Sequence, residues 1–235
     1  MIHCLDLKGM PIFEQLQIEE ALLRADDRNW CLINYGSSAA IVMGISGKVE
    51  ELIDLNKIAS LPLPIIRRFS GGGTVVVDEE TLFVTFIFQK DFHPFAPYPE
   101  PILQWTESIY QSFLPIKAKE NDYTIEDKKC GGNAQYLKRD RWLHHTSFLW
   151  NFQNEKMDYL LFPKKTPLYR RHRSHGEFLC KLHPYFSSKE ELVGKLKETL
   201  FARYAIREVA PAEILPLLNR PHRKATSSIH LHPID

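Results

Sequence analysis

Two short stretches of the chain combine glycines with basic side chains, and both are suited to binding anions. The first, RRFSGGGTVVVD, runs from residue 67 to 78 and has three consecutive glycines after Arg67 and Arg68. A loop of this composition can turn several backbone N–H groups in one direction, and such a concavity binds phosphates or carboxylates. Because successive strand residues point to opposite faces, one of the two arginines can lie over the loop. For the glycines alone, the alternative is a β-bulge or a wide turn at a sheet edge.

The second stretch, KKCGGNAQ, places two glycines next to Lys128 and Lys129 at the start of a predicted strand. A ligand can approach the backbone closely there, and a lysine supplies a mobile positive charge. The alternative is a hairpin turn with solvated lysines. Just upstream, Asn121 and Asp122 offer oxygen ligands of the kind that hold a hydrated Mg²⁺, although such residues also simply start turns.

Two less specific features also carry reactive side chains. His144 and His145 lie in a stretch that predicts a strand, so one of the two rings must face inward. An inward histidine is more often a hydrogen-bonded core residue than a catalyst. The stretch from residue 162 to 175 is basic and contains two prolines, which predicts a surface loop with its positive charge directed at a neighbouring site.

Composition and charge exclude several classes of protein. The 235 residues suffice for one large domain, and 44% hydrophobic and 25% charged residues are typical of a soluble globular chain. A net charge of +1 gives no global field for nucleic acid or an anionic membrane. Asp6 and Lys8 interrupt any signal peptide, and no apolar run reaches the roughly 18 residues of a membrane span. The four cysteines are scattered without CxxC spacing, which is typical of reduced thiols. Together these features predict a reducing, cytoplasmic location.

Apolar periodicity predicts the elements that hold the first stretch. The expected elements are a helix at residues 12–25, strands at CLINYG and AAIVMG, a short helix at 50–55 and a strand at PIIRRF. After the glycines, VVV and LFVTFIF predict a hairpin whose second strand lies in the middle of a sheet.

The second half of the chain predicts three strands between two helices. The expected elements are a helix at 102–113, strands at YTIED, KCGGNAQYL and WLHHTSFLWNF, and a helix at 188–203. Ser188 and Glu191 have the spacing of a capping box at the start of that last helix. Together the elements predict one α+β domain over residues 1–235, with a large mixed β-sheet flanked by helices.

In this order and spacing, the motifs resemble the lipoate–protein ligase A family. Its pattern is R-R-x-S-G-G-G-(T/A)-V-x-H-D, then N-D, then K-x-x-G-x-A, then H-H-G-T-L-L. QLQIEEALL and AAIVMGISG are similar to the family's first helix and second strand, so the resemblance covers roughly residues 10–185. It implies a catalytic domain of the biotin/lipoate ligase type.

The resemblance also implies a reaction and its partners. ATP would activate lipoate or octanoate to an acyl-adenylate, and the acyl group would pass to a lysine of a lipoyl domain. The acceptor would be an acyltransferase (E2) subunit or a glycine cleavage H-type protein. Two anions must meet in the first step, so positive charge between them lowers their repulsion.

The resemblance also implies the site residues, each at the position of this sequence that matches the family's motif. Lys129 would be the essential lysine between the acyl carboxylate and the α-phosphate. ATP and lipoate would bind at Arg68, Ser70, Gly71, Gly72, Gly73, Thr74, Val75, Val76, Asp122, Gly132, Ala134 and His145. Asp122 is the candidate ligand for Mg²⁺, and Arg170, Arg173 and His175 would cover the hydrolysable adenylate.

Three departures from the family pattern leave the activation step open. Val77 replaces the loop histidine, and the HHTS stretch lacks the family's glycine. The residues after 203 are too few for the usual C-terminal accessory domain. The chain would therefore be a complete compact ligase, a ligase that needs a separate small accessory subunit, or a transferase acting from a preformed acyl donor.

Other classes fit less well. Octanoyltransferases use a cysteine nucleophile before the K-x-x-G strand, and SFLPIKAKENDYTI contains none. Cys130 follows Lys129 directly, so strand alternation points the two side chains apart. Biotin ligases use a different glycine-arginine loop, which this sequence does not show. The basic run YRRHRSH at residues 169–175 suggests an RNA-binding module, but the near-zero net charge argues against nucleic acid as a partner.

Overall fold

The structure is a computed structural model that describes residues 1–162 and 166–231. Its strands are β1 (Ile2–Asp6), β2 (Asn29–Asn34), β3 (Ala40–Met43), β4 (Ile65–Arg67), β5 (Val75–Val77), β6 (Thr81–Gln89), β7 (Lys117–Lys119), β8 (Asp122–Ile125), β9 (Lys128–Leu137), β10 (Arg141–Leu149), β11 (Ile206–Val209) and β12 (Ser227–Ile229). Its α-helices are α1 (Ile12–Ala25), α2 (Val49–Leu52), α3 (Leu55–Ser60), α4 (Pro99–Tyr110), α5 (Asn154–Met157), α6 (His175–Phe178), α7 (Lys189–Arg203) and α8 (Leu215–Leu218). Short 3₁₀ helices occupy Leu168–Arg170, His183–Tyr185 and Pro211–Ile214.

The strands form two mixed sheets. The large sheet has the order β11-β1-β2-β6-β10-β9-β8-β7, and the small sheet has the order β12-β4-β3-β5. In the large sheet β11, β1 and β2 run parallel, whereas the pairs from β2 to β7 are antiparallel. The predicted α+β class with a large mixed sheet flanked by helices is confirmed.

β6 lies in the middle of the large sheet and is buried on both faces. Its even-numbered residues from Leu82 to Phe88 pack with α4 and α7 in one core cluster. On the other face, Ile87 packs with Leu22 and Leu23 of α1. This burial on both sides explains why the stretch LFVTFIF is apolar almost throughout.

The small sheet packs onto α1 and the edge of β6. Val77 and Ile66 from this sheet contact Leu16 of α1 and Phe83 of β6 in one cluster. The predicted hairpin of VVV and LFVTFIF is wrong, because β5 pairs with β3 in the small sheet while β6 pairs with β2 and β10. A tight turn after Asp78 carries the chain from one sheet to the other, with Thr81 N–H donating to the Asp78 carbonyl.

The predicted helix at 188–203 is α7, but its capping differs from the expected box. Ser188 Oγ accepts a hydrogen bond from Glu191 N–H at 3.1 Å, which satisfies one of the free donors of the first turn. The Glu191 carboxylate bonds to the backbone and hydroxyl of Ser187 instead of returning to Ser188. The reciprocal half of the capping box is therefore displaced by one residue.

The segment after α7 is built into both sheets. β11 extends the large sheet beside β1, and β12 extends the small sheet beside β4. Between them, the Glu20 carboxylate of α1 accepts hydrogen bonds from the backbone N–H groups of Ala225 and Thr226. None of these pairings was predicted, and neither were β1 and β7. No helix within residues 1–162 and 166–231 has both the length and the apolar character needed to cross a membrane.

Candidate active site

The glycine loop, residues 70–74, is folded around the side chain of Arg68. The guanidinium donates from Nε and Nη2 to the Gly71 carbonyl at 3.1 and 2.7 Å, and from Nη2 to the Gly73 carbonyl at 2.8 Å. In a trans peptide the N–H points away from the C=O, so the next two N–H groups, of Gly72 and Thr74, turn away from Arg68. Arg68 therefore lies on the carbonyl side of the loop and fixes its conformation, and the two N–H groups lie on the opposite side.

Two close approaches explain why the loop needs glycine. Gly72 has φ +101°, and a Cβ there would lie 2.6 Å from Arg68 Nη2. A Cβ on Gly44, the residue after β3, would lie 2.2 Å from the Gly72 carbonyl oxygen. The loop therefore needs a glycine at this position as well in order to pack against the end of β3. Cβ atoms on Gly71 and Gly73 would meet nothing within 4 Å, which leaves one side of the loop open.

The rest of the loop anchors it to the small sheet. Ser70 is buried, and its carbonyl accepts a hydrogen bond from Ile45 N–H. Val76 is buried and Val75 partly buried, and their side chains pack into the clusters on the two faces of the small sheet. Thr74 Oγ1 is buried without a hydrogen-bond partner among the described residues.

Lys129 of β9 reaches over Gly132 and forms an ion pair with Asp122 of β8. The distance between Lys129 Nζ and Asp122 Oδ1 is 2.8 Å. A Cβ on Gly132 would lie 3.0 Å from the same Nζ, so this glycine makes room for the ammonium. The carbonyl oxygen of Asn133 lies 3.9 Å from the Cβ position of Gly72, which brings the glycine loop and β9 together.

Asp122 is also held by Tyr169. The Tyr169 hydroxyl donates to Asp122 Oδ2 at 2.7 Å, and burial together with the nearby carboxylate raises the pKa of the tyrosine. Both carboxylate oxygens are thus engaged by protein groups. In the described part of the chain, no group of three His, Cys, Asp or Glu side chains could hold a metal ion. The contacts of Asp122 fit a role in positioning Lys129, and the magnesium ligand at Asp122 stays a prediction.

His145 faces the same side of the sheet as Gly132 and Ala134, since it pairs with Ala134 across β9 and β10. Its Nδ1 lies 2.9 Å from Glu19 Oε1, and Glu19 on α1 is fully buried. The Thr85 hydroxyl donates to the same Glu19 oxygen at 2.7 Å. His145 is therefore part of a buried polar network.

His144 points to the opposite face and takes no part in the candidate site. It lies 3.2 Å from the Tyr123 hydroxyl and 3.0 Å from Gln135 Nε2. Burial, followed by the neighbouring His145, lowers the pKa of His144 to about 3. This ring is a hydrogen-bonded core residue, as expected for one member of the pair.

The cover segment, residues 166–178, lies beside β8 and β9. Arg173 donates from Nη2 to the Asp127 carbonyl at 2.8 Å, and just after the segment Cys180 N–H donates to the Lys129 carbonyl at 2.8 Å. Of the predicted loop, residues 163–165 lie outside the described residues. The described remainder is not simply a loop, because it contains a 3₁₀ helix and α6.

Two predicted cover residues are enclosed in this segment. Arg170 is buried, its guanidinium lies 4.5 Å from the ring centre of Phe162, and its Nη2 has no partner among the described residues. His175 lines a cavity of about 400 Å³ together with Met157 and Phe162. Burial lowers the pKa of His175, and the charges of Arg170 and Lys129 act in the same direction.

Val77 and Cys130 are core residues. Val77 packs in the apolar cluster between α1 and the small sheet, so no polar group stands at that position. Cys130 is fully buried on the face away from Lys129, as alternation predicts, and its Sγ contacts the Tyr123 carbonyl. A hydrogen bond with Cys180, together with burial, raises the pKa of the Cys130 thiol.

The structure thus brings together the glycine loop, Lys129, Asp122, Gly132 and the ring of His145. Sequence reasoning missed Glu19, which contacts His145, and it placed Tyr169 in the cover without its contact to Asp122. The sequence does contain a sign of Glu19, because an acidic residue at position 19 continues the apolar stripe that includes Ile12, Leu16 and Leu23. Nothing local to Tyr169 indicates its contact with Asp122, which is 47 residues away.

Residues 11–203 match the family described as the lipoyl protein ligase A/B catalytic domain. A Plasmodium falciparum protein named inactive lipoate–protein ligase 2 is 28% identical over 242 residues, covering 76% of this chain and 62% of that protein. The lipoate–protein ligase LplJ of Bacillus subtilis is 29% identical over 143 residues, covering 58% of this chain and 42% of that protein. The chain spans less than two thirds of the length of each of these relatives.

Solved structures share the fold. A lipoate–protein ligase A with bound ATP has a TM-score of 0.75 at 17% identity, covering 92% of this chain and 91% of that one. A bi-partite lipoate protein ligase from Thermoplasma acidophilum, described with its E2 lipoyl domain, has a TM-score of 0.75 at 18% identity and coverages of 92% and 89%. LipL1 of P. falciparum in complex with lipoate has a TM-score of 0.73 at 17% identity and coverages of 94% and 69%.

The predicted catalytic fold is therefore confirmed by these likenesses. Because the family match extends from α1 to the end of α7 and includes the glycine loop, Lys129 and the cover segment, this chain belongs to the lipoyl protein ligase A/B catalytic domain family.

Proposed function

We propose that the chain is a lipoate–protein ligase. It uses ATP to convert lipoate, or octanoate, to the acyl-adenylate and transfers the acyl group to a lysine of a lipoyl domain. The observation that carries the proposal is the position of the Lys129 ammonium, which is held by Asp122 over Gly132, on the strand whose Asn133 carbonyl oxygen lies 3.9 Å from the Cβ position of Gly72 in the glycine loop. Ligands described for the structural neighbours, ATP in one and lipoate in another, support this substrate pair.

In the activation step, the acid's carboxylate attacks the α-phosphorus of ATP and pyrophosphate leaves. In a site with little water, the mutual repulsion of these two anions is on the order of several kcal/mol. Lys129 lies between them and reduces this repulsion. The outward N–H groups of Gly72 and Thr74 donate to phosphate oxygens as charge develops. Arg68 contributes by holding the loop carbonyls, and Mg²⁺ enters with ATP as part of the substrate.

In the transfer step, the acceptor lysine attacks the carbonyl carbon of the adenylate and AMP leaves. Lys129 stabilises the negative charge that develops on the carbonyl oxygen and on the departing phosphate. The cover segment keeps water from the adenylate, and Arg170, Arg173 and His175 contribute by holding that segment together beside β8 and β9. The partners are lipoyl domains of E2 subunits or a glycine cleavage H-type protein, and we place the reaction in the cytoplasm.

A narrower activity has its own support. One structural neighbour is described as bi-partite, and one relative is named inactive. In this alternative, the chain transfers from a preformed acyl donor, or needs a separate small accessory subunit for activation. Val77, an apolar residue where the family has a histidine, is the local feature that favours it.

One experiment separates these activities. The purified chain is incubated with a lipoyl domain and either lipoate with Mg-ATP or synthetic lipoyl-AMP, and lipoylation is read by mass spectrometry. Lipoylation in both tubes is expected for a complete ligase, whereas lipoylation only from lipoyl-AMP identifies the narrower activity. Lipoylation in neither tube contradicts both. An RNA-binding module, the remaining alternative class, would instead bind RNA with a steep salt dependence.

A further inference from the structure

A chain of hydrogen bonds leads from the interior of the protein to the candidate site. Glu19 Oε1 lies 2.9 Å from His145 Nδ1, and His145 Nε2 lies 3.3 Å from Ser147 Oγ. Glu19 is fully buried, His145 is 7% exposed, and Ser147 is partly exposed. We refer to these three residues as the relay.

The hydrogen bonds around Glu19 define the protonation of the histidine. Thr85 donates its hydroxyl proton to Glu19, so its oxygen can only accept from the His145 Nδ1 that lies 3.0 Å away. Both neighbours of Nδ1 are thus acceptors, which requires the proton of the neutral ring to be on Nδ1. Nε2 is then an acceptor, and the Ser147 hydroxyl donates to it.

Glu19 has further polar neighbours on α1 and next to the glycine loop. Gln15 Nε2 donates to the carboxylate at 2.8 Å, and the guanidinium of Arg68 is close enough to interact with it electrostatically. Because Glu19 Oε1 lies 2.9 Å from His145 Nδ1, the carboxylate would stabilise the positive charge that forms when this ring accepts a proton. The arrangement of acid, histidine and hydroxyl is the one by which enzymes remove a proton from a reacting group.

The relay ends on the face of the sheet that carries Lys129. Ser147 is paired with Gly132 across β10 and β9, and residues paired in this way share a face. Gly132 is the residue over which the Lys129 ammonium lies. The exposed end of the relay is therefore one strand away from the position assigned to the acyl-adenylate.

We infer that the relay is the general base of the transfer step, with Ser147 in contact with the amine of the acceptor lysine. This inference rests on the proposed function. The acceptor lysine is an ammonium at neutral pH and cannot attack until it loses a proton. That proton passes to Ser147 Oγ while the serine proton passes to His145 Nε2, which leaves an imidazolium stabilised by Glu19.

The remaining atoms balance without another reactant. The neutral amine forms a C–N bond to the carbonyl carbon of the adenylate, and the bond between that carbon and the oxygen bridging to phosphorus breaks, so the oxygen leaves with the phosphate. The second amine proton leaves with the phosphate, giving AMP and the amide. The imidazolium returns its proton to water through Ser147.

The test supplies lipoyl-AMP, so that activation is not required, and compares two acceptors. One is a lipoyl domain with its lysine, and the other is the same domain with aminoethylcysteine at that position, whose electron-withdrawing sulfur makes the amine less basic than that of lysine. We expect Ser147→Ala to slow transfer to lysine about 10²-fold. The same variant should lose a smaller factor with aminoethylcysteine, because more of that amine is already neutral.

Ser147→Thr is the matched control, because it restores the hydroxyl and should restore transfer to lysine. A Ser147→Ala rate near that of the unmodified chain would overturn the relay, and so would a slow variant with an unchanged ratio between the two acceptors, since that indicates a structural defect only. If the unmodified chain lipoylates neither domain, the proposed function itself fails. The two failures are therefore distinguishable.

Discussion

The Lys129 ammonium and the Asp122 carboxylate form a mostly buried ion pair at the candidate site. We predict that Lys129→Ala abolishes lipoylation of a lipoyl domain even when lipoyl-AMP is supplied. The physical reason is the loss of positive charge next to the developing oxyanion and the departing phosphate, and removal of one such group typically costs on the order of 10²–10³ in rate. Lipoylation measured by mass spectrometry over time gives the rate.

Lys128 provides the matched control for this prediction. It precedes Lys129 directly, carries the same charge and is exposed, so Lys128→Ala should leave the rate almost unchanged. Circular dichroism of both variants checks that Asp122, left without its ammonium, has not unfolded the domain. Near-normal transfer by folded Lys129→Ala would refute the role proposed for this lysine.

At the scale of elements, the end of β3 limits how the glycine loop can lie. A Cβ on Gly44 would approach the Gly72 carbonyl oxygen to 2.2 Å, and neither backbone can yield without moving the loop. We predict that Gly44→Ala folds but transfers from lipoyl-AMP at least about tenfold more slowly, because it displaces the N–H donors. Steady-state rates and thermal melting of the same samples separate activity from stability.

Gly194 in α7 is the control glycine, since a Cβ there meets nothing within 4 Å. Gly194→Ala should keep full activity and gain roughly 0.5–1 kcal/mol of stability, as expected for alanine in a helix interior. Full activity in Gly44→Ala would mean that the loop tolerates displacement and is not the donor array proposed here.

The sequence indicates the elements whose apolar pattern is local and strong, and it misses those that depend on distant partners. α1, α7, β9 and β10 follow directly from periodicity. β1 and β11 pair across some 200 residues, and a short strand such as IHCLD carries little pattern of its own. The hairpin was predicted from sequence proximity, whereas the turn at Asp78 sends β5 and β6 into different sheets.

The same distinction holds for the site. The glycines and Lys129 are recognisable because the chemistry of anion binding requires those residue types. Arg68 is recognisable too, but its orientation towards the Gly71 and Gly73 carbonyls is visible only in the structure. Glu19 and Tyr169 act through contacts 126 and 47 residues distant in sequence, to His145 and Asp122.

For the molecule as a whole, the two sheets and α1 enclose one site whose parts come from distant segments. Glu19 and Glu20, adjacent on α1, are both buried. Glu19 contacts His145 of the large sheet, and Glu20 binds the backbone at Ala225 and Thr226, just before β12 of the small sheet. One helix therefore contacts both the relay and the segment that leads into the small sheet.

The stability of the whole molecule should depend on pH through buried neutral histidines. His93 is 7% exposed among Phe88, Phe95 and Trp105, and its Nε2 has no partner among the described residues. Burial lowers the pKa of His93 from 6.5 to about 4. Above pH 6.5 both the folded and the unfolded chain hold this ring neutral. Between pH 6.5 and 4 only the unfolded chain binds the proton, so the free energy of unfolding decreases as the pH falls.

We predict that His93→Phe reduces this pH dependence, because phenylalanine fills the aromatic cluster without titrating. For a group that is protonated only in the unfolded chain, the free energy of unfolding changes by about 1.4 kcal/mol per pH unit. Urea unfolding at several pH values between 5 and 7.5 should therefore give a shallower slope for His93→Phe, and His144, whose pKa burial also lowers, contributes to the remaining slope. His183→Gln, at an exposed position, should keep the original slope. Parallel curves for His93→Phe and the unmodified chain would show that His93 is protonated in the folded state, contrary to its burial.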